Sequence, residues 1–304
     1  MRQPRYLSPG DTVAVVATAR SVDHNAMEDA VKYLRHWGFK VLLGKSIGPV
    51  HHQFAGTDQA RTEDLQWAID HPDIKAIWCA RGGYGTIRII DALDFSTLER
   101  HPKWVVGYSD ITVLHNHLHG MNWATLHAQM PLELGAKTPL TATSIREALT
   151  GQPYHINYAN QGIHTRAGKA EAMVVGGNLS ILYSLCGSAS SIDTQGKILF
   201  IEDLDEYLYH IDRMMMSLKR NGMLSGLAGL VVGGFTDMKD HSIPFGGQAM
   251  DIIWSAVKNY DYPVSFGAPM GHLPDNRALP LGVPCLLEVS LQSTSLAFRG
   301  HGGT

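Results

Sequence analysis

The sequence predicts an α/β protein with an N-terminal parallel sheet, flanking helices and a second, C-terminal α/β domain. Three observations carry this prediction. Short apolar, β-branched runs alternate with amphipathic helical patterns through the first half. Those runs are almost wholly apolar, as expected of parallel strands covered on both faces. The chain has 304 residues, against roughly 150 for one domain.

Thr12 to Thr18 reads as a buried strand. Ser21 to Trp37 reads as a helix, with Met27, Ala30, Val31, Leu34 and Trp37 at helical spacing and Gly38 as its stop. Val41 to Leu43 is a second strand, and Thr57 to Ile69 is a helix with Leu65, Ala68 and Ile69 on one face. A third strand, Ile74 to Ala80, runs into Arg81-Gly82-Gly83-Tyr84-Gly85, and a short helix follows near Ile87 to Leu93. Trp104 to Tyr108 is a fourth strand, followed at once by a helix from Asp110 to about His119. Pro131, Pro139 and Pro153 then punctuate a stretch without a long apolar run. It reads as an inter-domain connection at 136–168, between domains at 1–135 and 169–304. Ser144 and Glu147 would cap one short helix within it. Beyond it, a strand from Glu171 to Val175 enters Gly176-Gly177-Asn178-Leu179, and a helix runs on to Cys186. The strand Lys197 to Ile201 ends in Glu202-Asp203. Tyr207 to Arg220 is a helix, with Leu208, Ile211, Met214, Met215 and Leu218 facing a core. Leu230 to Val232 and Val264 to Phe266 are strands, and Leu286 to Leu291 with Ser295 to Phe298 form a closing hairpin.

Composition excludes several classes. At 44% hydrophobic and 17% charged, the chain can fill a core and is not a disordered polymer. The 25 Lys+Arg against 28 Asp+Glu give a net charge of -3, which argues against a nucleic-acid partner. No apolar run approaches the roughly 18 residues of a membrane span. Cys79, Cys186 and Cys285 lie far apart, so neither a disulfide framework nor a CxxC motif is present. Arg2 and Arg5 precede an apolar run too short for a signal peptide. The protein reads as cytoplasmic.

Ligands on parallel sheets sit at the carboxyl ends of the strands, and the segments with chemistry fall there. Ser109 lies between a strand and a helix with Gly107 two residues earlier, the setting of a nucleophile elbow. The N–H of Asp110, at the helix start, would then help hold an oxyanion. Serine is also a preferred helix cap, and position 111 is Ile rather than the Gly of GxSxG. The loop 81–85 has three glycines in five residues, allowing close backbone approach. It fits neither a dinucleotide fingerprint nor a Walker A loop, and a tight turn is its plainer reading. Glu202 either faces a cleft or belongs to an acidic turn before a helix. His272 lies in a Gly- and Pro-rich loop. Ser, Glu, His is one known chain order for a hydrolytic triad. Of His115, His117, His119 and His127, only His115 and His119 share a helix face, and no Glu stands between them, so a metal centre is not expected.

Taken together, these strings resemble the LD-carboxypeptidase family of serine peptidases, the muramoyltetrapeptide carboxypeptidases. The resemblance rests on Phe54-Ala55-Gly56-Thr57-Asp58 with Arg61 and Asp64-Leu65, then Arg81-Gly82-Gly83-Tyr84-Gly85, then Lys103 with Gly107-Tyr108-Ser109-Asp110-Ile111-Thr112. It continues through Gly176-Gly177-Asn178-Leu179, Ile201-Glu202-Asp203 with Glu206, Ile211-Asp212-Arg213-Met214, Gly271-His272 with Asn276, and Leu279-Pro280-Leu281-Gly282. It spans about residues 10 to 285, in the family's order.

The resemblance implies a flavodoxin-like or glutamine-amidotransferase-like N-terminal sheet. It implies a nucleophile at Ser109 from the first domain, with a base at His272 and a carboxylate at Glu202 from the second. The N–H of Asp110 and one from Gly82, Gly83 or Tyr84 would hold the oxyanion. The implied reaction removes the terminal D-alanine from cytoplasmic murein tetrapeptide in cell-wall recycling, without metal or cofactor, by an enzyme that is often a homodimer. The substrate carboxylate needs a reader, for which Arg81 and Arg277 are the candidates by location. Two departures bear on substrate preference. Ala17-Thr18-Ala19 stands where the family usually has Ala-Pro-Ser, and His127-Ala128-Gln129-Met130 where it often has His-Gly-Pro-Met. The rival readings are a microcin-type peptidyl-nucleotide hydrolase with the same triad, a non-catalytic peptide-binding protein and, more remotely, a metal-dependent hydrolase. A long loop adapted to an adenylate would favour the first rival, and the stretch 235–247 is short.

Overall fold

The computed structural model describes residues 1–160 and 164–298. Part of the expected connection, 161–163, and the end of the expected second domain, 299–304, lie outside the described residues.

The first half winds as β1 (Thr12–Val16), α1 (Glu28–His36), β2 (Lys40–Leu43), α2 (Asp58–Asp70), β3 (Ile74–Cys79), β4 (Trp104–Gly107), α3 (Thr112–Gly120) and β5 (Thr125–His127). The rest winds as α4 (Pro139–Thr150), β6 (Tyr154–Ala159), β7 (Gly168–Asn178), α5 (Leu179–Leu185), β8 (Ile198–Leu204), α6 (Leu208–Arg220), β9 (Gly229–Thr236), α7 (Ala249–Val257), β10 (Val264–Phe266), β11 (Leu279–Leu281), β12 (Pro284–Val289) and β13 (Ser293–Phe298).

Two sheets result. The first has the order β11-β5-β4-β3-β1-β2. Its five strands from the first half are parallel; four of them were expected and β5 was not, while β11 arrives from far along the chain and pairs antiparallel to β5. The second has the order β10-β9-β8-β7-β12-β13-β6. There β7 to β10 are parallel and β12, β13 and β6 antiparallel. One apolar cluster spans both halves, from Leu34, Trp78, Trp104 and Leu126 to Phe200, Leu279 and Leu287.

Several elements differ from expectation for local reasons. The helix expected from Ser21 starts only at a 3-10 turn, Asn25–Met27, because the Asp23 carboxylate accepts the Ala26 N–H at 3.0 Å. The helix expected near 87–93 is two 3-10 turns, Thr86–Arg88 and Ile90–Ala92, the usual form of such short pieces. The connection is more ordered than its prolines suggest. Pro139 opens α4, where its missing N–H costs nothing. Ser144 is not a cap. It lies inside α4, donates to the Thr141 carbonyl at 2.7 Å and accepts the Ala278 N–H at 2.9 Å. Tyr154 and Ile156 are buried while His155 and Asn157 are not, the alternation of a strand covered on one face. Glu202 and Asp203 fall inside β8 rather than in a turn after it, and Glu202 is in register with Asn178 of β7.

Candidate active site

Ser109 follows β4 directly and has φ of 62°, in the left-handed region. A non-glycine residue there is strained, and the neighbours must hold it. Gly107 makes room for the turn, since a Cβ at that position would stand 2.8 Å from Ile111. The Ile111 N–H closes the turn onto the Tyr108 carbonyl at 3.2 Å, and a 3-10 turn, Ser109–Ile111, leads into α3. This is the elbow that lifts a side chain above the sheet. Asp110 is buried, and its Oδ2 accepts the Thr86 N–H at 2.9 Å. Burial pushes its pKa up. Its side chain is thus a strut within the fold, and only its N–H remains a candidate for oxyanion contact.

The glycine loop after β3 lies against Ser109. A Cβ on Gly82 would stand 3.3 Å from the Ser109 Cβ and 3.4 Å from its Oγ. Gly83 and Gly85 have φ of 104° and 150°, values that side chains rarely adopt. Arg61, fully buried, binds the loop from behind by donating to the carbonyls of Thr18 and Gly85, and it pairs with Asp58. The Thr18 hydroxyl shares a 2.9 Å hydrogen bond with that of Thr86. One departure from the family's pattern therefore ties the loop after β1 to the loop after β3.

Glu202 and His272 meet although 70 residues apart, with His272 Nδ1 2.7 Å from Glu202 Oε2. A carboxylate only accepts hydrogen bonds, so Nδ1 carries the proton and Nε2 is left as an acceptor. Glu202 is fully buried, and its Oε1 has no hydrogen-bond partner among the described residues. Burial acts to lower the His272 pKa. The charge and hydrogen bond of Glu202 act to raise it, and the net result lies above the ordinary imidazole value. The Tyr108 ring packs on the imidazole, with centroids 4.8 Å apart.

The second departure, Gln129, bolts the His272 loop to the first sheet. Gln129 Oε1 accepts from Asn276 Nδ2 at 3.1 Å, and Asn276 Oδ1 accepts the Gly271 N–H at 2.9 Å. Gln129 Nε2 also donates to the carbonyls of Met130 and Leu132. Both amides are buried, so Gln129→Leu strands several polar groups. Urea unfolding of that variant is expected to show a loss of about 1–3 kcal/mol; a loss below about 0.5 kcal/mol would remove the bolt.

Ser109, His272, Gly82, Gly83 and Asp110 line one cleft between the halves, of about 540 Å³. Its other walls include Arg20, Arg81, Glu133, Asn178, Asp203, Asp205 and Glu206. Glu202 stands behind His272 rather than in the lining. The exposed Tyr84 side chain turns to Phe54, with centroids 6.1 Å apart, and is not in the lining. Arg277 is also outside it, held by Asp275 at 2.9 Å and by the Asn157 carbonyl. Arg81 lines the cleft and donates to the Ser21 carbonyl at 2.6 Å.

Sequence reading gave no site role to Asn178, Asp203 or Arg20. Asn178 Nδ2 donates to Asp203 at 3.0 Å, and the Asn178 N–H donates to Thr112 of the first half at 3.0 Å. Burial, then the charge of Glu202, pushes the Asp203 pKa up to about 7. All three lie at or just past the carboxyl ends of parallel strands, which was the signal available for them. Two of the three histidines of α3 are engaged elsewhere, His115 on the Gly107 carbonyl and His117 on Ser190. Among the described residues no group of three or more His, Cys, Asp or Glu could hold a metal.

Comparison with known proteins gives this arrangement its class. The LD-carboxypeptidase N-terminal domain matches residues 13–128 and the LD-carboxypeptidase C-terminal domain matches residues 171–287. The protein is a serine-type carboxypeptidase hydrolase of two-domain α/β architecture. It belongs to the LD-carboxypeptidase family. A probable murein peptide carboxypeptidase of Bacillus subtilis is 36% identical over 95% of this chain and 92% of its own. The murein tetrapeptide carboxypeptidase of Pseudomonas aeruginosa is 29% identical over 91% of this chain and 92% of its own. The crystal structure of muramoyltetrapeptide carboxypeptidase from Oxalobacter formigenes superposes with a TM-score of 0.87 at 26% identity, over 96% of this chain and all of that one. The microcin C7 self-immunity protein of Escherichia coli is also similar, at 25% identity over 95% of this chain and 94% of its own.

Proposed function

We propose that this protein removes the terminal D-alanine from murein tetrapeptides, with Ser109 as nucleophile, His272 as base and Glu202 as its carboxylate partner. The observation that carries the reading is the buried Glu202–His272 pair, which opens onto a cleft where Ser109 stands on a left-handed elbow. His272 Nε2 takes the Ser109 proton as Oγ attacks the amide carbonyl. Glu202 holds the ring and stabilises its charged form. The N–H of Asp110 and one from the 82–84 loop hold the oxyanion. His272 then returns the proton to the leaving amine of D-alanine, and water hydrolyses the acyl-enzyme.

Three free cysteines suit a reducing compartment. Among the described residues no helix is long and apolar enough to cross a membrane. A cytoplasmic location and a homodimer complete the proposal, and light scattering checks the dimer. Mass spectrometry of murein tetrapeptide incubated with the protein tests the reaction. Loss of one alanine that a chelator does not affect is the expected result. Cleavage of an aminoacyl-nucleotide instead would establish the microcin-type reading. A tetrapeptide bound but left intact would make the protein a binding protein.

The pH dependence follows from the site. A base must be neutral, so kcat/KM falls as pH drops through the His272 pKa, with its half-point above that of an ordinary imidazole. Glu202→Gln removes the main group that raises this pKa and leaves the smaller effect of Asp203 against burial. The acid limb of that variant's residual activity is expected to move to lower pH. A kcat/KM profile from about pH 5 to 9 checks it; an unmoved limb would separate Glu202 from His272.

A further inference from the structure

A carboxypeptidase must distinguish a terminal carboxylate from a continuing chain, and the cleft offers few cations for the purpose. Arg277 lies outside it, paired with Asp275. Arg81 is partly committed to the Ser21 carbonyl. Arg20, four residues past β1, is exposed in the cleft and makes no ion pair among the described residues. Its only side-chain partner among the described residues is Gln53 Oε1, at the limiting distance of 3.5 Å.

The stem of Arg20 is nevertheless held in place. Its N–H donates to the Gly82 carbonyl at 3.4 Å, and its backbone bridges to Phe54. Its side chain lies across the bare face of Gly83, where a Cβ would stand 2.5 Å from Arg20 Cδ and 3.3 Å from Nε. Gly83 thus makes room for Arg20 on the loop that faces Ser109. A scissile carbonyl held by that loop has its terminal carboxylate only one residue further on, about 3.8 Å along the chain. That is within reach of a guanidinium resting on the same loop. Much of the rest of the cleft is unsuited to a carboxylate, because Asp203, Asp205 and Glu206 line the second half's side and Glu133 stands near the first half's.

We propose that Arg20 is the reader of the substrate's terminal carboxylate and so the residue that makes this site a carboxypeptidase rather than an internal peptidase. The proposal rests on the murein-peptide reading above and adds the group that recognises the end of the peptide. A guanidinium offers the paired donors that a carboxylate accepts.

The test is calorimetry in a Ser109→Ala background, with two probes, murein tetrapeptide ending in free D-alanine and the same peptide as its C-terminal amide. They differ at one group only, so the peptide's other carboxylates cancel. The parent is expected to bind the acid about 10- to 100-fold more tightly than the amide, the range of one charge-assisted contact. Adding Arg20→Met should bring the two affinities to within about 3-fold by weakening the acid alone, and Arg20→Lys should restore part of the preference. Equal binding of acid and amide by the parent, binding of neither, a preference that survives Arg20→Met, or an equal loss for both probes would overturn the proposal. So would a preference that disappears with Arg81→Met instead. Because binding is read without turnover, failure of the reaction is seen separately, as absence of D-alanine release by protein with Ser109 intact.

Discussion

Ser109→Ala is expected to release D-alanine from murein tetrapeptide at least about 10⁴-fold more slowly than the wild type, while still binding the peptide. Removing the nucleophile of a hydrolytic triad typically costs up to about 10⁶-fold in kcat, and the residual rate reflects oxyanion contacts and binding. Two structural facts make the alanine variant a clean test. The left-handed backbone at Ser109 is held by Gly107, Ile111 and the 3-10 turn rather than by the hydroxyl. The Ser109 side chain is half-buried at the cleft rather than packed in the core. Fold and affinity should therefore persist while turnover disappears. Mass spectrometry of D-alanine release, with calorimetry for binding, reads both. Turnover within about 10-fold of wild type would remove Ser109 as nucleophile, together with the triad built on it.

Gly271→Ala is expected to have the second-largest effect, although residue 271 carries no chemistry. Gly271 has φ of 103°, where a side chain is strained, and its missing Cβ leaves the space that Glu202 occupies. A Cβ there would stand 2.7 Å from Glu202 Oε2 and under 3 Å from Glu202 Cβ and Cγ. Glu202 lies within β8 and cannot retreat with its strand. Either its carboxylate leaves His272 or the loop carrying His272 shifts. A misplacement of about 1 Å costs on the order of 10²-fold in rate, and the backbone strain adds about 1–3 kcal/mol of instability. Gly222→Ala separates the two effects, since Gly222 has φ of 75° with nothing within 4 Å of its Cβ position. That variant should lose stability and keep its kcat/KM. If Gly271→Ala retains wild-type kcat/KM, the packing of Glu202 against residue 271 has no part in the chemistry.

What could be read from the chain itself depended on how local each feature is. The parallel sheet was legible because β1, β3 and β4 are apolar runs set apart by helices, with no long-range information needed. Ser109 was legible as an elbow because strand, glycine and helix start lie within a few residues. The Glu202–His272 pair was not, because nothing in the spacing of two residues 70 positions apart says that they touch; only resemblance to a family joined them. The strand β8 was read as running out at Glu202, with an acidic turn as one of two readings for it, since carboxylates rarely lie inside a buried strand unless something pairs with them. β6 was missed because its outward residues are polar, so its inward ones never form a run. β11 was missed because three residues, one of them proline, carry almost no strand signal without the partner they meet. Arg20 was passed over for Arg81 and Arg277, because a sequence shows where arginines are and not which of them already have partners.

The placement of β11 bears on how this protein comes into being. The strand that closes the free edge of the first sheet, beside β5, is drawn from positions 279–281. A ribosome that has already made Ser109, β4 and β5 must still add β6 to β10 before that edge is covered. During that interval the partly made sheet presents an unpaired strand, the kind of surface that recruits other chains. Both the covering of that edge and the arrival of His272 wait until residues 272–281 are made, long after β5. Assembly of the sheet and assembly of the site are therefore one late event, and a chain cut short before it would leave neither.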